Sequence, residues 1–185
     1  MTPVRETHPV KVAGIHRELS LFKVAPGVRI AVLNILGDTE LVQACAEALA
    51  QKLDPAAYAV LVTAEAKSIP LVHALSVETG KPYVVLRKAY KPYMGVALSA
   101  ETFSITTGKP QMLYLDEKDH NLLKDQRVVL LDDVISTGST LQGMRLLMDK
   151  AGAQVVIEAC VFTEGDPDHW DGVVSLGHLP IFKTE

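Results

Sequence analysis

The residues from Val128 to Thr140, Val-Val-Leu-Leu-Asp-Asp-Val-Ile-Ser-Thr-Gly-Ser-Thr, carry the densest chemistry in this chain. Ser136, Thr137, Ser139 and Thr140 offer hydroxyl donors around Gly138, whose missing Cβ lets a ligand approach the backbone. A turn of this kind that opens a helix aims backbone N–H groups at one point, which suits a phosphate dianion. Asp132 and Asp133 lie just before the turn. A phosphate repels them, so they suit a neighbouring group that bears hydroxyls or a cation. Phosphate beside a diol or a metal describes a sugar phosphate. A Walker A loop needs Lys after its last Gly, and this chain has Ser139 there, which argues against a nucleoside triphosphatase.

Four consecutive apolar residues, Val128–Leu131, predict a strand buried on both faces, with the acid pair where that strand surfaces. Leu141, Met144, Leu147, Met148 and Ala151 then recur at helical spacing, and Gly152 is placed to stop the helix. Further strand-like runs at Val28–Leu36, Ala59–Thr63, Tyr83–Arg87 and Val155–Phe162 alternate with helices. One helix is predicted from about Thr39 to Leu53 with Asp38 as N-cap, another from Ile69 to Thr79 with Gly80 as its stop. Such alternation implies right-handed βαβ crossovers and an α/β fold built on a doubly wound, mostly parallel sheet. Ligands of such sheets sit beyond the carboxyl ends of the strands, where the Ser136–Thr140 turn falls. The stretch from Lys88 to Gln126 breaks the rhythm. It predicts a hairpin of strands around Ala97–Thr106 and Gln111–Asp116, mobile at its tip and able to close as a lid.

With 185 residues, 48% hydrophobic and 22% charged, the chain fits one globular domain with room for a small appendage. No apolar run approaches the roughly 20 residues of a membrane span. The start, Met1-Thr2-Pro3-Val4-Arg5-Glu6, lacks the apolar stretch of a secretory signal, so a cytoplasmic location and no membrane partner are expected. A net charge of −4 gives no nucleic-acid footprint, and any anion site must be local. Cys45, on a predicted helix, and Cys160, on a predicted strand, read as core thiols with no disulfide. The six His residues show no metal-ligand or triad spacing, and no metal ligands are assigned; His73 reads as a structural residue of its helix.

The Val128–Thr140 segment resembles the 5-phosphoribosyl-1-pyrophosphate (PRPP) signature of the type I phosphoribosyltransferases, in the two-aspartate form of their adenine branch. The resemblance implies transfer of ribose 5-phosphate from PRPP to a purine base with release of pyrophosphate, a purine-salvage reaction. Adenine is the first choice of base, with xanthine or hypoxanthine as alternatives. It implies that Ser136, Thr137, Gly138, Ser139 and Thr140 hold the 5′-phosphate. Asp132 and Asp133 are the catalytic acids, gripping the ribose hydroxyls and favouring a cationic sugar carbon. Val134 packs on the base, and Mg²⁺ enters mainly as a complex with PRPP.

Two further segments extend the resemblance. Thr63-Ala64-Glu65-Ala66-Lys67-Ser68 is similar to the family's Glu-Ala-Arg-Gly pyrophosphate loop, with Lys67 for Arg and Ser68 for Gly. Arg87-Lys88-Ala89-Tyr90-Lys91-Pro92 is similar to its Arg-Lys-x-x-Lys-Pro segment. Lys67, Arg87, Lys88 and Lys91 are therefore expected to receive the pyrophosphate. Phe103 to Lys109 resembles the flexible catalytic loop, giving Phe103, Ser104, Thr106 and Lys109 as lid residues. Here the chain departs from the pattern. Adenine-using members commonly carry Glu-Tyr where this chain has Thr106-Thr107, a form similar to that of the xanthine-using branch. Hypoxanthine-guanine enzymes carry Asp where this chain has Ser136. A reading of another class stays open beside the enzyme: a PRPP-sensing regulator that performs no chemistry. The resemblance also implies a homodimer, and a hood over the base made from residues 1–27 and 166–185. Between them lies a core of 28–165 with its lid hairpin at about 88–126.

Overall fold

The computed structural model describes residues 5–103 and 110–183. The chain opens with the hairpin β1 (Thr7–Val12) and β2 (Ile15–Ala25), followed by β3 (Val28–Ala31). Next come α1 (Thr39–Lys52), β4 (Val60–Ala64), α2 (Ile69–Thr79) and β5 (Tyr83–Leu86). A second hairpin, β6 (Leu98–Phe103) and β7 (Pro110–Leu115), leads through the short α3 (His120–Leu123) to β8 (Arg127–Ile135). The chain ends with α4 (Ser139–Ala151), β9 (Gln154–Glu164), β10 (Val174–Leu179) and β11 (Ile181–Lys183).

Five strands form a parallel sheet of order β10-β9-β8-β4-β5, with β8 at its centre. Val128, Val129, Leu130 and Leu131 are all fully buried, because helices cover both faces. Val129 and Leu131 join Leu41, Leu49, Leu71 and Leu75 of α1 and α2 on one face. Val128 and Leu130 join Leu141, Met144 and Leu147 of α4 on the other. That division explains an apolar run without alternation. It also sets up the site, since α2 leaves β4 toward one face while α4 leaves β8 toward the opposite face. The two strands run parallel, but their connections leave in opposite senses, β4 on to β5 and β8 on to β9, and a crevice opens beyond their carboxyl ends.

The helix boundaries agree closely with the sequence expectation. Asp38 caps α1, accepting from the Leu41 N–H at 3.2 Å, and Gly80 and Gly152 end α2 and α4 in left-handed geometry. Cys45 and Cys160 are buried free thiols. Two differences stand out. The strand expected over Val28–Leu36 ends at Ala31 and pairs antiparallel with β2 and β11, outside the parallel sheet. The turn at Gly27, in left-handed geometry, reverses the chain after β2 and makes that pairing the local one. Residues 174–179, expected in a hood, instead add the edge strand β10 beside β9. Only β11 crosses to the antiparallel sheet of order β1-β2-β3-β11.

The expected hairpin is present as β6–β7, and its base packs against α4. Ala100, Leu113 and Leu115 are buried with the residues of α4, and Lys150 Nζ donates to the Ser99 carbonyl at 2.6 Å. Gly143 permits this approach, because a Cβ there would lie 2.5 Å from Thr102 Cγ2. The expected lid residues Ser104, Thr106 and Lys109 lie outside the described residues, and Phe103 is the last residue of β6.

Arg17 of β2 ties the antiparallel sheet to α1. It donates to both carboxylate oxygens of Asp38, at 2.7 and 2.8 Å, and to Glu40 at 2.7 Å. Asp38→Ala removes this pairing together with the helix cap. The expected loss is about 1 kcal/mol from the cap, with a further contribution from the freed arginine, read as a lowered chemical-denaturation midpoint. The Arg17 hydrogen bond holds the Asp38 carboxyl below its usual range. A depressed acid stabilises above its unfolded pKa, so this contribution is present near neutrality and fades as the pH falls through the folded value.

Candidate functional site

The crevice beyond β4 and β8 holds a cavity of about 770 Å³. Its floor is Asp132 to Leu141, one wall is Lys67, and its roof comes from the antiparallel sheet through Val28, Ile30 and Ile181. Ser136, Thr137, Gly138, Ser139 and Thr140 all line it. Gly138 stands at the N-cap of α4 with φ +75°, a conformation that favours glycine, and has no side chain to cap the helix; Thr137 Oγ1 accepts the Ser139 N–H at 3.4 Å, and no side chain takes the next first-turn amides among the described residues. The amides of that turn therefore face the cavity with the positive end of the helix dipole behind them.

Contrary to expectation, the acid pair lies within β8 rather than just beyond it, because β8 pairs with β9 as far as Ile135. Asp133 is buried at 7% exposure, and Asp132 is half-buried. Ser68 joins them. Its hydroxyl donates to Asp132 Oδ1 at 2.8 Å, lies 3.3 Å from Asp133 Oδ1, and accepts the Asp133 N–H at 2.9 Å. Serine is a common helix cap, yet Ser68 makes no capping bond to α2. The carboxylates hold its hydroxyl instead. Lys67 Nζ lies 3.4 Å from Asp133 Oδ2 and donates to the Leu33 carbonyl at 3.1 Å. Asp133 Oδ2 itself accepts no hydrogen bond among the described residues. This oxygen is enclosed and faces the Lys67 ammonium, so its charge is balanced by an ion pair rather than by a hydrogen bond.

Burial, and then the adjacent Asp133 charge, push the Asp132 carboxyl up to about 7. A raised acid is protonated in the fold at a pH where the unfolded chain has lost its proton. Its contribution to stability is therefore present below about pH 4 and is lost as the pH rises through about 7. Activity that needs both charges should have the opposite slope. We expect kcat/KM for a sugar-phosphate substrate to rise with pH toward neutrality as the acid pair gives up its proton. The Ser68 bond lowers this pKa, so Ser68→Gly should move the rise to higher pH. A pH profile that is flat from 6 to 8 in both proteins would remove Asp132 from the reaction.

The other expected cations are placed differently. Arg87 Nε donates to Glu65 Oε2 at 2.6 Å, and the Lys88 N–H donates to Glu65 Oε1 at 2.6 Å. Glu65 thus occupies the arginine at the end of β5, while the Lys88 and Lys91 side chains are exposed. None of the three lines the cavity, and among the described residues Lys67 is the one cation that does. Val134 is half-buried on the cavity floor, as a residue packing on a ligand face would be.

Three residues escaped the sequence reading. Ser68 enters the sequence pattern only as the replacement for the Gly of the pyrophosphate loop. Glu164 ends β9 and accepts from the Ser136 hydroxyl at 2.6 Å. Trp170 donates its indole N–H to the Glu164 carbonyl at 3.0 Å and lies over Gly138, where a Cβ would meet its ring at 3.2 Å. Glu164 alone had a usable clue, its place at a strand's carboxyl end.

A family model described as "Phosphoribosyl transferase domain" matches residues 32–171, which include Lys67, Ser68, the acid pair, the Ser136–Thr140 turn and Glu164. A hypoxanthine/guanine phosphoribosyltransferase of Methanococcus voltae is 39% identical over 106 residues, covering 57% of this chain and 53% of that protein. The chain thus spans about half the length of the curated relatives it matches. An adenine phosphoribosyltransferase structure from Thermoanaerobacter pseudethanolicus superposes with a TM-score of 0.64 at 21% identity, covering 94% and 95% of the two chains. One from Trypanosoma brucei, solved with AMP, pyrophosphate and ribose-5-phosphate, gives 0.61 at 22% identity over 78% and 67%. These structures share the doubly wound fold, and the family match spans the acid pair, the Ser136–Thr140 turn and the Lys67 loop together: the chain belongs to the phosphoribosyl transferase domain family.

Proposed function

We propose that this chain transfers ribose 5-phosphate from PRPP to a purine base and releases pyrophosphate. The observation that carries the proposal is the meeting, in one cavity, of the glycine-started N-terminus of α4, the Asp132–Asp133 pair and Lys67. The 5′-phosphate would sit on the amides of Ser139 and Thr140 and the hydroxyls around them. Asp132 and Asp133 would take the ribose hydroxyls, and their charge would favour the cationic sugar carbon as its bond to pyrophosphate breaks. The base nitrogen then bonds that carbon and loses its proton. Lys67 would meet the departing pyrophosphate, and the antiparallel sheet above would keep out water that would otherwise hydrolyse the sugar.

The acid pair also fits Mg²⁺ held chiefly by the ligand's own oxygens, since two hard carboxylates at the cavity suit that ion. Held beside Asp132 and Asp133 with PRPP, Mg²⁺ would supply positive charge to offset that of the leaving group. Among the described residues no cluster of three or more metal-ligating side chains forms a separate site.

Adenine is the base that the two-aspartate signature favours. A second reading, hypoxanthine or guanine, is favoured by the names of the curated relatives. The test is to incubate the protein with PRPP and Mg²⁺ against adenine, hypoxanthine, guanine, xanthine and uracil and follow nucleotide formation. Product with a purine supports the proposal and names the base. Binding of PRPP with no product from any base would overturn transfer in favour of a PRPP-sensing regulator.

A further inference from the structure

Glu164 is the buried acid at the cavity that the reaction described above does not use. It is 3% exposed, yet it belongs to the cavity lining. One carboxylate oxygen, Oε2, is committed to the Ser136 hydroxyl at 2.6 Å. No bond to Oε1 is formed among the described residues, and Oε1 is not among the fully enclosed, unpartnered atoms. The burial of an acid with one oxygen bonded and the other turned to a cavity costs free energy, unless a ligand supplies the missing donor.

The surroundings say what that donor is. β9 runs beside β8 with Val134 opposite Phe162 and Ile135 opposite Thr163, so Glu164 stands next to Ser136, one step past the floor residue Val134. Above it the Ile181 side chain closes on Gly165, where a Cβ would lie 3.5 Å from Ile181 Cδ1. Val134 and Ile181 thus line the same cavity as this carboxylate. That is the layout of a slot for a flat heterocycle, with an acceptor at its edge.

We propose that Glu164 is a specificity-determining residue that reads the base by accepting a hydrogen bond from a ring N–H or exocyclic amino group on its edge. The inference rests on the phosphoribosyl-transfer reading and deepens it. It also accounts for two departures from the family pattern: a carboxylate reaches Ser136 from the neighbouring strand, although position 136 has no acid of its own and the loop has Thr106. Ser136 then has a second task, holding the Glu164 carboxylate still.

The test compares Glu164→Gln and Glu164→Ala with the wild type, using whichever purine the wild type converts. Gln keeps the shape and can still accept the Ser136 bond, but it loses the charge. The base KM should rise about tenfold to a hundredfold in both variants. The PRPP dissociation constant, read from the fluorescence of Trp170 beside Gly138, should stay within about twofold. A Gln variant with wild-type base KM, whatever Ala does, would show that Glu164 only supports Ser136 and would overturn the inference. So would a Gln variant that does not fold. Wild-type protein that forms no nucleotide with any base sinks the transfer reading itself, and this inference with it; normal turnover with an indifferent Glu164 sinks the inference alone.

Discussion

Asp133→Asn should lower kcat by about a hundredfold to a thousandfold, the size of effect seen when one preorganised charge-stabilising group is removed. The argument starts from its position. Asp133 is buried beside Asp132, shares the Ser68 hydroxyl with it, and keeps Oδ2 free of hydrogen bonds. Asn preserves the volume and the acceptor toward Ser68 while deleting the negative charge. The protein should therefore melt close to the wild type, because a like-charge repulsion disappears along with the Lys67 pairing. The same substitution removes the Asp133 contribution that raises Asp132, so the pH rise of any residual activity should move to lower pH. Steady-state kinetics across pH 5 to 9, with a melting curve for each protein, make the comparison. Unchanged kcat in a folded variant removes Asp133 from the chemistry.

Gly138→Val acts through binding. The residue sits at φ +75°, where a β-branched side chain is strained, and even a Cβ would press on the Trp170 ring at 3.2 Å. Either the turn abandons this geometry or Trp170 moves. In both cases the amides of Ser139 and Thr140 no longer point at one spot. With a strain of about 1–3 kcal/mol at such a position, PRPP affinity should drop roughly tenfold to a hundredfold. Calorimetric titration of PRPP into the variant measures it, and Trp170 fluorescence reports whether the ring has shifted. Wild-type affinity would show that the phosphate binds elsewhere.

These two positions also mark what could be seen in advance. Gly138, the hydroxyls around it and the acid pair are contiguous in the chain. So are the rules that govern them: a buried strand, a turn and an amphipathic helix with its stop at Gly152. Lys67 was found because its turn also follows a strand and precedes a helix. The hidden residues meet their partners only through the sheet. Ser68 reaches Asp133 across 65 positions, and Ser136 reaches Glu164 across 28. Arg87 shows the reverse: its end-of-strand position was right, but Glu65 holds its guanidinium. No spacing rule expresses that choice.

Local periodicity and turn chemistry therefore determined the elements, their order along the chain and the stretch where phosphate chemistry would sit, because each depends on neighbours within one turn or one pleat. Which strands lie side by side is decided by burial of both faces of β8 at once. That packing alone set β4 and β9 against the acid strand, carried the Ser68 hydroxyl to the aspartates and Glu164 to Ser136, moved residues 28–31 into the antiparallel roof, and enclosed the site.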